Sequence, residues 1–210
     1  MKRRRRDLST PRPAQGGESR SKAAPGLKRA VIVGERVFLR RPGARDREEY
    51  IALRQANRKF LRPWEPIMHK GKDEFGPVAF DSMLRVARSP RYCKLLVCLK
   101  DTGQLIGSVN LNCIAPQPFL STTIGYWIGK AWTHNGLMTE AVNLIVKHAF
   151  TNLKLHRVEA NIMPVNAVSL ALIKGCGFRF EGLAKRYLQI NGKWSDHERW
   201  AMTVEDWKSR

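Results

Sequence analysis

Gly136 stands in the stretch GKAWTHNGLMTE, residues 129–140, directly before a run with helical spacing. A glycine at a helix mouth lets backbone N–H groups reach a phosphate, which the positive helix end also favours; more commonly it only ends a loop. Other chemistry-bearing residues narrow the choice. Gly125 and the Gly129-Lys130 pair lack the GxxxxGK[ST] spacing of a P-loop, and GxGxxG does not occur. Neither HExxH nor a serine nucleophile elbow is present, and the five histidines are scattered, which argues against metal and triad hydrolases. Cys93, Cys98, Cys113 and Cys176 match neither a zinc site nor a CxxC pair and read as core thiols; Cys176 has no histidine placed to activate it. What remains is transfer of a group from a bound cofactor, with no metal expected.

The elements that must position such a site follow from periodicity. Residues 31–41, VIVGERVFLRR, alternate like a strand, and REEYIALRQANRKF has the spacing of a helix. FLRPWEPI, with two prolines, is irregular, and DEFGPVAFDSMLRVAR reads as a helix opened by a capping Asp. YCKLLVCLK, QLIGSVNLNCI and FLSTTIGYWIG form a predicted antiparallel meander. Leu137, Met138, Ala141, Leu144, Ile145, His148 and Ala149 share one face, so residues 136–152 should be an amphipathic helix on that sheet, with His148 a core histidine. HRVEANIM is a strand, NAVSLALIKGCGF a helix capped by Asn166, and FRFEGLAKRYLQINGKWSDHERWAMT a hairpin turning at Asn191 and Gly192. About seven strands and four helices result. The strand, helix, strand, helix order allows one parallel pair in an otherwise antiparallel, twisted sheet, an α+β fold.

Composition bounds the partners. The chain has 210 residues, 43% of them hydrophobic, enough for one domain with a sizeable core. Lys and Arg number 38 against 18 Asp and Glu, a formal charge of +20 that favours an anionic partner or cofactor. Residues 1–30 hold ten of the basic residues and few large apolar ones, which predicts a disordered basic tail before a domain over residues 31–210. The RRRR run is either a solubilising device or a means of nonspecific attraction to ribosomal RNA. No apolar run follows it and no long apolar stretch occurs elsewhere, so a cytoplasmic protein without membrane contact is expected.

TIGYWIGKAWTHNGLMTEA followed by HRVEANIMPVNAVSLALIKGCGFRFEG resembles the GCN5-related N-acetyltransferases (GNAT). RQANRKFLRPWEPI and RYLQINGKWSDHERWAMTVEDW resemble the RimJ type in particular, whose members acetylate the N-terminal alanine of a small-subunit ribosomal protein, and the likeness runs over residues 31–208. The resemblance implies acetyl-CoA as cosubstrate and a protein N-terminus as acceptor. It implies that the GYWIG strand splays from HRVEANIM and that backbone groups of Trp127 and Ile128 pair with pantetheine as with another strand. His134, Asn135, Gly136, Leu137, Met138 and Thr139 would face the pyrophosphate. In this loop Thr133 departs from the family pattern, and His134 stands where a glycine is common, with Asn135 expected to supply the unusual backbone angles.

Asn166 would cap its helix, touch pantetheine, or both; Ser169 would either cap or stabilise the departing thiolate. The α-amine has a reference pKa of roughly 7.7–8.0 against roughly 10.4 for lysine, so direct attack needs only a proton relay. A backbone N–H near Ile128 could meet the developing oxyanion. Glu65, Glu140 and Glu181 are candidate carboxylates, each equally open to a structural role, and Tyr187 a candidate acid. Two other functions fit the same residues: acetylation of a small amine such as an antibiotic or polyamine, or a catalytically weakened ribosome-binding member. A polycationic acceptor would demand an acidic cleft.

Overall fold

The structure is a computed structural model that describes residues 24–66 and 73–210. The expected basic tail lies, as far as residue 23, outside the described residues.

Alternation over residues 31–41 is interrupted at Gly34, and the expected single strand is a hairpin: β1 (Ala30–Val33) and β2 (Val37–Arg40) pair antiparallel. The Gly34 N–H donates to the Val37 carbonyl at 2.8 Å. A Cβ at Gly34 would lie 2.4 Å from Glu140 Oε1 and 2.7 Å from Leu144 Cδ1, so a side chain there would displace both where the turn presses on the central helix. This hairpin supplies the eighth strand of the sheet, one more than the expected seven. Every residue of β2 is buried. Val37 and Leu39 belong to the core on one face, Phe38 to the core on the other, because strand side chains alternate and both faces are covered.

The first helical stretch divides into α1 (Arg47–Ala56) and α2 (Arg58–Leu61). Asn57 breaks it by donating its side-chain amide to the Leu53 carbonyl at 2.8 Å, a local bond that competes with the helix. The next helix, α3 (Pro77–Val86), starts after Gly76 and not at an Asp; Asp73 accepts from the Phe75 N–H instead. Proline at the first helical turn fits because its missing N–H would be unpaired there.

The meander is β3 (Cys93–Leu99), β4 (Leu105–Ala115) and β5 (Ser121–Ile128). The long helix α4 (Leu137–Thr151) buries Leu137, Met138, Ala141, Val142, Ile145 and Val146 against the sheet, as its period requires. Its neighbour His148 is half-buried and its pKa lies below the ordinary value, chiefly through burial. There follow β6 (Arg157–Ile162), α5 (Ala167–Gly175), β7 (Arg179–Ile190), β8 (Lys193–Thr203) and α6 (Val204–Lys208). The strand order is β1-β2-β3-β4-β5-β6-β8-β7, with β5 and β6 parallel and the other neighbours antiparallel. The α+β class is as expected, but six α-helices occur among the described residues where about four were expected, because α2 and α6 are too short to show a period. α4 covers one face of the sheet. α1, with Tyr50 and Leu53, covers the smaller cluster of Phe38, Leu96, Cys98 and Leu105 on the other.

Candidate active site

The parallel pair β5 and β6 is short. Its register runs Ser121 to Arg157, Thr122 to Val158 and Thr123 to Glu159, and stops. Beyond that point β6 continues on β8 as far as Ile162, while β5 continues on β4 as far as Ile128. One edge of β5 is thus left without a strand, and its N–H and C=O groups can pair with an extended molecule laid along it.

Hydrogen-bond alternation decides which residues offer that edge. The Gly129 N–H donates to the Ile106 carbonyl at 2.9 Å, and an added Cβ on Gly107 would sit 2.3 Å from the Trp127 carbonyl oxygen. The odd-numbered residues from Gly125 to Gly129 therefore bond to β4, and Ile124, Tyr126 and Ile128 turn theirs to the open edge. Ile128 lies where expected. Trp127 does not offer its backbone; its indole enters the cleft on the other face, with Tyr50 edge-on at 5.6 Å between ring centroids. Gly107, which no motif marked, lets β5 approach β4 at this point.

The loop from β5 to α4 closes at the mouth of the opened strand pair. Thr133 adopts extended backbone and bonds through its hydroxyl to the Lys130 carbonyl at 2.8 Å. His134 itself takes a positive φ of 61°, and Gly136 one of 71°. The conformation expected of Asn135 is thus borne by its predecessor; histidine is among the residues that tolerate it best after glycine. The Asn135 carbonyl accepts from Arg36 Nη1 at 2.9 Å. Gly136 is the N-cap of α4, and no side chain caps the helix. The first-turn amides of Leu137, Met138 and Thr139 and the positive end of a 15-residue helix therefore open on this loop. A cavity of about 690 Å³ beside it is lined by Arg36, Gly136, Thr139, Asn143 and Lys147 among others.

Glu140 faces the β1–β2 turn, away from the tryptophan. Its Oε1 accepts from the Arg36 and Val37 amides at 2.9 and 3.3 Å, and its Oε2 from Arg36 Nε at 3.1 Å. Burial works to raise its pKa, but these donors prevail and hold the carboxyl below its ordinary value. Arg36, unmarked in the sequence, thus braces both the loop and the helix that follows it.

Across the opening, Asn166 caps α5 by accepting from the Ser169 N–H at 3.2 Å, as expected. The Ser169 carbonyl accepts from the Tyr126 hydroxyl at 3.3 Å, which ties α5 to the open strand. The Ser169 hydroxyl has no partner among the described residues.

On the opposite face lies a cleft of about 390 Å³, with Tyr50, Val78, Met83 and Trp127 for walls and Glu65 and Lys94 among its polar groups. Arg54, 4% exposed, is its hinge. The guanidinium lies 4.5 Å from the Phe75 ring centre and 5.0 Å from that of Trp127, and Nη1 meets Glu65 Oε1 at 2.5 Å. A cation sandwiched between rings is desolvated at little loss because the ring faces replace water. The Glu65 carbonyl accepts from the Asn191 N–H at 2.9 Å, so the β7–β8 turn closes this side. Lys94 donates to Asn112 Oδ1 at 2.5 Å, and burial holds its ammonium below the ordinary value.

Of the other carboxylates singled out, Glu181 is paired with Arg157 and Arg179 on the sheet surface, and its pKa is lowered first by Arg157. Tyr187 is 38% exposed and lies over the buried His197, ring centroids 6.0 Å apart. Glu65 and Trp127 come together, Ser169 lies at the open strand, and Glu140 and Glu181 belong to other neighbourhoods.

The opened parallel pair beside an uncapped helix N-terminus is an arrangement that this chain shares with N-acetyltransferases. The chain belongs to the GNAT family: residues 36–179 match the model of the acetyltransferase (GNAT) domain. It is 33% identical over 174 residues to the probable N-acetyltransferase YjcK of Bacillus subtilis, covering 80% of this chain and 94% of that one. The ribosomal protein uS5-alanine N-acetyltransferase of Escherichia coli is 34% identical over 157 residues, 72% of this chain and 79% of that one. Among solved structures, Mycobacterium smegmatis RimJ in complex with CoA-disulfide has a TM-score of 0.75 at 33% identity, covering 81% of this chain and 83% of that one. Among the described residues no helix is long and apolar enough to cross a membrane, and no group of three or more His, Cys, Asp or Glu could hold a metal ion.

Proposed function

We propose that this enzyme transfers the acetyl group of acetyl-CoA to the α-amine of a protein N-terminus, with the alanine of a small-subunit ribosomal protein as the foremost acceptor. The open edge of β5, leading from the cleft at Trp127 to the uncapped end of α4, carries the reading. Backbone groups of Tyr126 and Ile128 align the pantetheine, and the amides from His134 to Thr139 hold the pyrophosphate. Acetyl-CoA supplies an activated acyl group. The α-amine attacks directly, since a group with a pKa of roughly 7.7–8.0 is partly neutral near pH 7. Glu65 draws the amine into the cleft and receives its proton through water, while the unpartnered Ser169 hydroxyl donates to the departing thiolate.

The cleft's charge balance favours a peptide over a polyamine. Glu65, Asp73 and Glu74 are matched by Arg54, Arg85 and Lys94 along its lining. Glu65 is already paired with Arg54, and Asp73 with Arg58. A polycation would find few free carboxylates. The likeness to the uS5-alanine enzyme supports the choice of acceptor. Incubation of the protein with labelled acetyl-CoA and peptides beginning in Ala, Ser or Met should label the alanine peptide at its α-amine. Absence of transfer to every peptide, together with absence of CoA binding, would overturn the reading.

A further inference from the structure

Two unpaired polar atoms belong to neighbouring residues at the end of the open strand pair. Asn161 on β6 and Arg199 on β8 are Cα partners in the antiparallel register. Asn161 Oδ1 and Arg199 Nε are both buried, and neither has a hydrogen-bond partner among the described residues. One is an acceptor and the other a donor. Their face follows from alternation: Val158, Ala160 and Ile162 point into the α4 core, so Glu159 and Asn161 point the other way. Glu159 is opposite Thr123, which shares a face with Trp127 two strand periods on. The pair therefore lies on the acceptor side. His197 and the Tyr187 ring over it continue this face along β8.

A buried polar group without a partner destabilises a fold, and two of opposite character on paired residues call for a reason. Arg199 keeps its Nη2 on Glu159 Oε2 at 2.9 Å while its side chain remains 42% exposed, so the guanidinium can turn without losing that anchor. The first residue of a polypeptide carries an N–H donor and a carbonyl acceptor on one Cα. A lysine side chain or a polyamine carries the amine alone.

Resting on the function proposed above, we infer that Asn161 and Arg199 read the N-terminal residue of the acceptor: Asn161 Oδ1 accepts from the α-amine, and Arg199 Nε donates to the first carbonyl. A site built to hydrogen-bond two groups rejects an analogue lacking one, because its own buried partner is then left unpaired. The pair restricts the enzyme to chain termini and orients the amine lone pair toward the opened strands.

The test uses the full chain with acetyl-CoA, an alanine-initiated peptide and n-butylamine, an amine without a carbonyl. Asn161→Leu and Arg199→Lys should each lower kcat/KM for the peptide at least tenfold, mainly through KM. CoA affinity should stay within twofold for both, and the slow transfer to n-butylamine should not change in Arg199→Lys, because that amine lacks the carbonyl Arg199 reads. Asn161→Leu should not lower Tm, since it removes an unpaired group of similar size. Unchanged kcat/KM for the peptide would overturn the assignment, as would an equal loss of CoA affinity or a fall in Tm showing that Asn161 already had a partner. If the unsubstituted enzyme acetylates no peptide at all, the underlying function fails first and this assignment with it.

Discussion

The two sides of the site are made of different material. On the proposed function, the donor side is main chain: the open edge of β5, the loop with positive φ at His134 and Gly136, and the uncapped start of α4. The cleft proposed for the acceptor is side chain: Arg54 between Phe75 and Trp127, Glu65 on Arg54, and Lys94 on Asn112, drawn from separate stretches of sequence. Backbone presents the same groups whatever the residue, so a backbone site tolerates side chains such as those of Thr133 and His134 in its loop. A side-chain site changes with each substitution. The difference teaches that the donor should be shared across the family and the acceptor should be particular to this chain.

The largest effect should come from breaking the backbone side. At Gly136 φ is 71°, a conformation that a β-branched residue rarely adopts, and an added Cβ would stand 3.2 Å from Arg36 Nη2. Gly136→Val would therefore strain the loop and dislodge the arginine that holds the Asn135 carbonyl. CoA binding measured by calorimetry should weaken at least tenfold, about 1.4 kcal/mol or more. Unchanged affinity would mean that the pyrophosphate sits elsewhere.

The same division explains what could be read beforehand. The α4 helix, the β5–β6 crossover and the loop glycine were legible because periodicity and a glycine before a helix are local signals. Arg36 was not, because its three contacts lie about a hundred positions away in sequence, on Asn135 and Glu140. Arg54 reads as one more charged position on an amphipathic helix, and only the packing of α1 against Trp127 and Phe75 buries it. Gly107 looks like an ordinary strand glycine until the Trp127 carbonyl is seen where its Cβ would be. The open edge belongs to Tyr126 rather than Trp127 because ladder parity is fixed by register with β4, which no single strand encodes.

A smaller and differently shaped effect should follow on the acceptor side. Glu65→Gln keeps the size of the side chain but removes the charge that faces Arg54 and, on the proposed function, the incoming amine. Peptide kcat/KM should fall by about three- to tenfold, in the net range of a single hydrogen bond, while CoA affinity stays within twofold. Equal losses for both ligands would erase the division between donor and acceptor sides.

The smallest effect tests whether Glu140 is a brace or a reacting group. Its carboxyl receives the Arg36 and Val37 amides and the Arg36 guanidinium, and its folded pKa lies below the ordinary 4.5. Because the folded value is depressed, the stabilisation is fully present above the unfolded pKa and is lost as pH falls through the folded one. Glu140→Gln should thus lower stability by about 1 kcal/mol at neutral pH and flatten the decline below pH 4.5, read from denaturant melts at stepped pH. Per folded molecule, turnover should be unchanged, since the carboxylate points at the β1–β2 turn while the cleft proposed for the amine lies on the other face of the sheet. A tenfold drop in turnover with the melts unaltered would move Glu140 from the frame of the donor loop into the chemistry, and the backbone side would then no longer work by main chain alone.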